Sequence, residues 1–406
     1  MDTVEYGVAN DPRPDAGVGR VNTNEHDGGK QNADIELGKM NTAPPPNGND
    51  DEVTAPPPFK ALSFLDKLLV LWIIISMAIG IILGNLVPSV GPALQKGTFV
   101  GVSGPIAAGL LVMMYPILCK VRYETLHLLF RTKALWVQIG ISFVLNWIIA
   151  PLFMTALAWA FLPDRQDLRD GLIFVGVARC IAMVLIWTDL AGGDADYCAV
   201  LVAFNSILQI VLFAPMALFL VKVVSDDPGE AGNDLYRDAA TSVAVFLGIP
   251  LAAAVITRVS LRYLLGEYKY QHYFIRYVAP FSLIGLLYTI IVLFASQGAH
   301  VVDQITSVLR VCAPLVVYFL VIFPLTAFMM WRSGFGYKVS ATQSFTAASN
   351  NFELAIAVVV ATYGPGSEQA LAATVGPLIE VPVLVGLVYV IRWFKHRWGW
   401  KEPNTE

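Results

Sequence analysis

Charge is what this chain has least of. Aspartate, glutamate, lysine and arginine together make up 14% of its 406 residues, against about 25% in soluble proteins, and this excludes a water-soluble multidomain enzyme. Cysteine is scarce too. Cys119, Cys180, Cys198 and Cys312 stand far apart, which excludes a disulfide framework and a Cys-x-x-Cys zinc site and leaves at least one thiol free. No basic surplus or nucleic-acid module is present, with a formal net charge of −4, so nucleic acid is not an expected partner. The motifs HExxH and GxSxG and paired catalytic aspartates are missing, so an intramembrane enzyme has no support. Nothing calls for a cofactor. No basic segment followed by an apolar run opens the sequence, and the first spanning helix is expected to direct insertion itself.

What the chain does have is apolar length: 56% of its residues are hydrophobic and mean hydropathy is +0.61. Residues 1–60 are the exception. They hold 11 of the 31 acidic side chains and 5 of the 27 basic ones, with proline runs at 44–46 and 56–58, and are expected to form a disordered acidic cytosolic tail. Beyond Lys60 come ten blocks near the roughly 20 apolar residues a spanning helix needs: 67–87, 98–118, 134–162, 171–191, 198–222, 239–257, 277–297, 309–330, 340–362 and 370–391. Pro151 is expected to kink the third. Alternate connections, with the C-terminal tail, carry 14 lysines and arginines against 6 on the opposite side. The positive-inside rule puts the richer set, and both termini, in the cytosol.

Ten spans divide into halves of five, 61–223 and 238–392, followed by a tail at 393–406. An odd number per half makes the second enter the membrane from the opposite side, the inverted-repeat plan of secondary transporters. The expected fold is an all-α polytopic membrane protein whose fourth and ninth helices are broken and cross. The breaks are expected at Arg179-Cys180 and at Asn350-Asn351 with Glu353, because unwound backbone is tolerated at membrane depth only where it lines a cavity.

Each polar residue at membrane depth has a bland reading and a functional one. Cys180 packs as a small side chain, or it is a soft ligand for a thiophilic metalloid, its thiolate favoured by neighbouring Arg179 and a helix break. Arg179 and Glu353 form a buried ion pair tying two helices, or Glu353 carries a coupling proton. Glu380, between Pro377 and Pro382, is a second proton site or an ion-pair partner. Asn146, Asn205, Gln209, Asn350 and Asn351 bond helix to helix or contact a solute. Trp187 is an interface anchor or a cavity wall. Cys119, Cys198 and Cys312 keep the packing reading, and Gly80-Ile-Ile-Leu-Gly84 reports close helix packing.

The stretch Val177-Ala-Arg-Cys-Ile-Ala-Met-Val-Leu-Ile-Trp-Thr-Asp-Leu-Ala-Gly-Gly-Asp194 closely resembles the signature of the arsenite efflux permeases of the bile acid/arsenite/riboflavin transporter superfamily. So do Ala199–Ser206, Phe345–Ala357 and Gly376–Leu384, and the likeness covers 60–395. With its long first segment the chain resembles the eukaryotic, fungal branch. The resemblance implies ten helices in a five-plus-five inverted repeat. It also implies proton-driven export of arsenite, antimonite in some members, through the plasma or vacuolar membrane. Cys180, as the arsenic(III) ligand, and Glu353 match the principal functional positions; Asn146, Arg179, Trp187, Asn205, Asn351 and Glu380 match others. The expected mechanism has Arg179 poise the thiol, asparagines accept hydrogen bonds from arsenite hydroxyls, and Glu353 take the proton. A sodium-coupled organic-anion carrier of the same superfamily is the alternative.

Overall fold

In hydrocarbon every peptide group must find its partner inside the chain, and helices do this segment by segment. The computed structural model describes residues 68–87, 89–94, 96–121, 123, 133–181, 183–224, 232–303 and 305–400. The segment 1–60, expected to be an acidic tail, and the end of the C-terminal tail lie outside the described residues.

Helix α1 (Leu69–Leu86) leads through a five-residue helix, Val90–Leu94, into a hairpin of β1 (Thr98–Phe99) and β2 (Val102–Ser103). Thr98 faces Ser103 and Phe99 faces Val102. After α2 (Gly104–Lys120), α3 (Lys133–Val144) passes through a π turn, Leu145–Ile149, into α4 (Ala150–Phe161). Short helices α5 (Gln166–Val177) and α6 (Met183–Ala191) precede α7 (Ala195–Leu218). Next, α8 (Gly232–Val243), a π turn at Ala244–Gly248, α9 (Ile249–Lys269), another at Tyr270–Ile275 and α10 (Arg276–Asp303) run almost continuously. The rest is α11 (Ile305–Arg332), α12 (Tyr337–Ala348), α13 (Phe352–Tyr363) and α14 (Glu368–Arg397).

Among the described residues five stretches are long and apolar enough to cross a bilayer: Leu135–Phe161, Ala195–Val224, Asp234–Ser296, Ile305–Arg332 and Glu368–Arg397. Leu71–Leu86, Gly104–Lys120 and Phe352–Tyr363 are shorter apolar helices. The chain is therefore an all-α polytopic membrane protein.

Three features depart from the sequence reading. The expected kink at Pro151 is a π turn just before it, and Pro250 follows another in the same way. Proline gives no N–H and crowds the carbonyl four residues back, so the preceding turn widens. The blocks at 239–257 and 277–297 join in one helical run of 63 residues, kinked at Gly266, whose φ of 78° and ψ of 163° are not helical. The tail expected from 393 is helical to Arg397.

One group of helices packs α10 against α1 and α2, with α9 against α2. A Cβ on Gly80 would stand 2.8 Å from the carbonyl oxygen of Ile291, which is the close approach expected of that glycine. The other group packs α5 against α4 and α14, and α11 against α4, α12 and α14. The groups meet where α8 packs against α7 and α13. The turn of the hairpin also abuts the end of α13: a Cβ on Gly101, at φ +74°, would lie 2.6 Å from the Ala361 carbonyl oxygen. Beside α5, Arg310 pairs with both oxygens of Asp164. Hydrogen bonding from that guanidinium holds the Asp164 carboxyl down to about 2, so the pair persists at physiological pH.

Arg258, one of the lysines and arginines counted outside the apolar blocks, is buried. Its side chain is 1% exposed and 3.7 Å from Glu267. It donates to the carbonyl of Cys119 over 3.3 Å, and Tyr270 donates to the same oxygen over 2.9 Å. The last carbonyls of a helix lack intrahelical donors and carry its negative dipole end, so a cation and a phenol there cap α2 and tie it to α9. Replacing Arg258 with Met keeps the apolar stem and removes the charged donor. The expected loss is about 2 kcal/mol, the worth of a hydrogen bond to a charged group. It is read as a lower melting temperature of the detergent-purified protein; an unchanged one would remove the capping role.

Candidate functional site

Helices α5, α12 and α13 have 12 residues each and α6 has 9. At 1.5 Å per residue none reaches about 20 Å, short of a hydrocarbon core of about 30 Å. They are half-helices, and they meet end to end at two breaks. Ala178 (φ −72°, ψ 118°) and Ser349 (φ −75°, ψ 141°) leave the helical region for extended backbone. The two extended pieces then pair as an antiparallel bridge between Arg179 and Asn350. Asn351 N–H donates to Ala178 O over 3.1 Å, and Cys180 N–H to Ser349 O over 3.4 Å. Each break thus satisfies peptide groups the other left open.

The Arg179 side chain is fully buried and turns back on the ends of the two half-helices that stop here. It donates to Gly176 O of α5, to Ala347 O of α12 over 3.5 Å, to Asn350 Oδ1 over 2.6 Å and to Tyr318 Oη over 3.3 Å. Tyr318 in turn donates to Ala347 O over 3.1 Å. The C-terminus of a helix carries about half an elementary negative charge, so two of them face one guanidinium. The expected ion pair with Glu353 is not formed among the described residues: backbone carbonyls and neutral side chains already occupy Arg179. Glu353 sits half-buried in the first turn of α13. Glu380, 1% exposed, accepts from the Asn350 backbone N–H over 3.2 Å and has no ion-pair partner among the described residues.

The carboxamides around the crossing are oriented by partners that can only donate, which fixes oxygen and nitrogen by chemistry. Trp147 Nε1 donates to Asn205 Oδ1 over 3.1 Å. The backbone N–H of Arg179 donates to Gln209 Oε1 over 3.1 Å. Asn350 Oδ1 is taken by Arg179, and Asn351 Oδ1 caps α13 by accepting from Leu354 N–H over 3.1 Å. The NH2 groups of all four, with Trp187 Nε1, are buried and unpaired. Buried polar atoms are nearly always bonded, so four open carboxamide donors on and next to the Arg179–Asn350 bridge mark a place for an acceptor. Asn146 is reversed: its Nδ2 donates to Ser142 O over 2.8 Å, and its Oδ1 is left open. The asparagine oxygens at the crossing each already accept one hydrogen bond and keep a second lone pair, while their NH2 groups are wholly open.

The structure brings Arg179, Asn350, Glu380 and Gln209 into one hydrogen-bonded network. Asn205 lies one turn before Gln209 on α7, and Asn146 is beside Trp147, its anchor. Cys180 is 4% exposed and next to the bridge. Trp187 is buried on α6, and no hydrogen bond joins its indole to the network. Sequence reasoning named Gln209 without choosing it, and missed Tyr318 and Trp147. Tyr318 lies in an apolar run where any aromatic reads as packing; Trp147 adjoins Asn146, a usable signal. Cys198 fits its packing reading, accepting from Thr188 Oγ1 over 3.4 Å.

Residues 107–304 match the Sodium Bile acid symporter family. The arsenical-resistance protein Acr3 of Corynebacterium glutamicum is 48% identical over 335 residues, 82% of this chain and 90% of that protein. Acr3 of Alkaliphilus metalliredigens is 28% identical over 350 residues, 83% of this chain and 95% of its own length. An uncharacterized transporter of a Synechocystis species is 31% identical over 359 residues, 82% of this chain and 91% of that one.

Glu380 reaches Asn350 because α14 approaches α13 at a glycine. The ring of Phe352 occupies the place where a Cβ on Gly376 would stand, and Gly376 is one turn before Glu380. Gly376→Ala should push the helices apart at a cost of about 1–3 kcal/mol, typical of overpacking. Gly386→Ala, with nothing within 4 Å of the added atom, should be neutral or slightly stabilising. Thermal unfolding of the two purified variants checks this, and equal melting temperatures would contradict it.

Proposed function

Because the chain belongs to the Acr3-type arsenical-resistance transporters of the bile acid/arsenite/riboflavin superfamily, we propose that it exports arsenite from the cytosol in exchange for protons. The observation that carries this reading is the set of oriented, unpaired N–H donors around the crossing, beside a single thiol. Neutral arsenous acid offers hydroxyl oxygens to the carboxamide NH2 groups of Asn205, Gln209, Asn350 and Asn351 and to Trp187. Its arsenic is a soft centre for the sulfur of Cys180. Among the described residues no cluster of three or more His, Cys, Asp or Glu could hold a metal ion. As the sulfur–arsenic bond forms, one hydroxyl leaves with the thiol proton as water, and water reverses the step. One thiol therefore binds reversibly where a chelating set would retain the metalloid. The open Oδ1 of Asn146 can accept from a hydroxyl hydrogen. Antimonite, with the same hydroxyl and soft-centre chemistry, is a second substrate on this reading.

Asn350 links solute to proton. Its backbone N–H binds Glu380, its Oδ1 binds Arg179, and its Nδ2 is open to the solute. Protonating Glu380 weakens the first bond, because a neutral carboxyl accepts less strongly than a carboxylate. Glu353, half-buried in the first turn of α13, and Glu380 are the two proton sites, as carboxylates at membrane depth are in pumps and transporters. The coupling thus runs through the crossing backbone, in place of an Arg179–Glu353 pair.

The ten-span, five-plus-five inverted repeat, with its crossing at the midplane, is the architecture this reading uses. The basic bias then places both termini in the cytosol, and the plasma membrane is the site of export. The sodium-coupled organic-anion alternative is less well supported, since Cys180 has no task there.

Everted vesicles from cells making the full chain, with an interior-acid gradient, test the proposal. Wild-type vesicles should accumulate arsenite until an uncoupler collapses the gradient. Cys180→Ala should abolish uptake; uptake at the wild-type rate would remove the ligand role. Glu353→Gln should take up arsenite without responding to the gradient, and a normal response would remove its proton role.

Gln209 adds a finer test. Gln209→Glu keeps an oxygen for the Arg179 N–H and loses the open donor. The KM for arsenite should rise about 2–10-fold, one neutral hydrogen bond of about 0.5–1.5 kcal/mol, while the maximal rate changes less. An unchanged KM would take Gln209 out of the solute path.

A further inference from the structure

A groove of about 330 Å³ opens between the π turn that joins α3 to α4 and the end of α11. Leu145 and Ile149 form one wall, Ile322, Leu325 and Phe328 the other, and Arg332 with Ser333 closes one end. From Ile322 to Arg332 the helix rises about 15 Å, half of a hydrocarbon core of about 30 Å. The groove therefore has the reach of one leaflet, with its apolar end at the membrane centre.

The other end sits at the membrane–water boundary. Phe328 packs on Trp331 at 5.9 Å and on Trp398 at 6.2 Å between ring centres, and the Trp331 indole donates to Trp398 O over 2.9 Å. Aromatic belts of this kind settle at headgroup level. Arg332 is exposed, and among the described residues no hydrogen bond or ion pair holds it. The chain carries no acidic residue between Asp303 and Glu353, while Lys338 follows close behind, also exposed. The mouth carries the Arg332 guanidinium and the walls are apolar.

We propose that this groove binds one anionic phospholipid, an acyl chain between the π turn and α11 and the phosphate on Arg332. Leu145 and Ile149, which would touch the chain, flank Asn146 and Trp147, both fully buried. Trp147 orients Asn205, so the lipid braces the back of the solute site.

The test is native mass spectrometry of the full-length protein in mild detergent, titrated with dioleoylphosphatidylglycerol or dioleoylphosphatidylcholine. Wild type should retain one phosphatidylglycerol about fivefold better than phosphatidylcholine, the effect expected of one surface arginine. Arg332→Gln should abolish the preference and keep weak retention of either lipid; Leu325→Trp, which fills the groove, should lose both. Melting temperatures confirm that each variant is folded. Absence of a wild-type preference, or its survival in either variant, would overturn the proposal. So would a Leu325→Trp variant that changes oligomeric state without changing lipid retention, because the groove would then seat a second copy of the chain.

Discussion

Everything at the centre of this molecule depends on keeping one guanidinium content in hydrocarbon. An arginine at the middle of a membrane costs at least about 3 kcal/mol, and arginine has no neutral form to retreat to. Arg179 is nevertheless fully buried, because the chain delivers two helix C-termini to it. Hydrogen bonds from charged donors contribute about 1.5–3 kcal/mol each. With Gly176, Ala347, Asn350 and Tyr318 accepting, the burial is offset. The same contacts fix where α5 and α12 stop, and so where α6 and α13 begin.

From that point the geometry propagates by peptide groups. The Arg179–Asn350 bridge leaves the Arg179 N–H to orient Gln209, and the Asn350 N–H to reach Glu380. Asn351, next in line, starts α13 by capping it. A small number of main-chain positions thereby decide which way four carboxamides face. The row of outward-facing NH2 donors is a by-product of closing two broken helices on each other.

The two breaks, the half-helices around them and most of the polar residues that collect there were legible in the sequence, Tyr318 and Trp147 excepted. An arginine or a pair of asparagines has few excuses in an apolar run, and unwound backbone must line something. The direction of each hydrogen bond was not legible. It depends on which donor consumes a carboxamide oxygen, and the donors to Asn205 and Asn350 are 58 and 171 residues away. The Arg179–Glu353 pair failed for a related reason: opposite charge is visible in a sequence, while carbonyls exposed by a helix end are not. The capping role of Arg258 was not legible, because the sequence marks the end of α2 but not that α9 and the turn to α10 fold back over it. The merged run through Gly266 shows the same limit, since spacing counts spans and does not reveal whether the chain between them stays helical.

The meeting of the hairpin with α13 has a consequence of another kind. At Gly101 the contact is backbone on backbone, with the Ala361 carbonyl where a side chain would have to go. Such a seam contains nothing to titrate and no charge for salt to screen; its strength is shape alone. The crossing, by contrast, is built of dipoles, a cation and carboxylates. The protein thus joins its parts in two ways: the centre is held by electrostatics, and the rim where α13 meets the hairpin is held by fit alone.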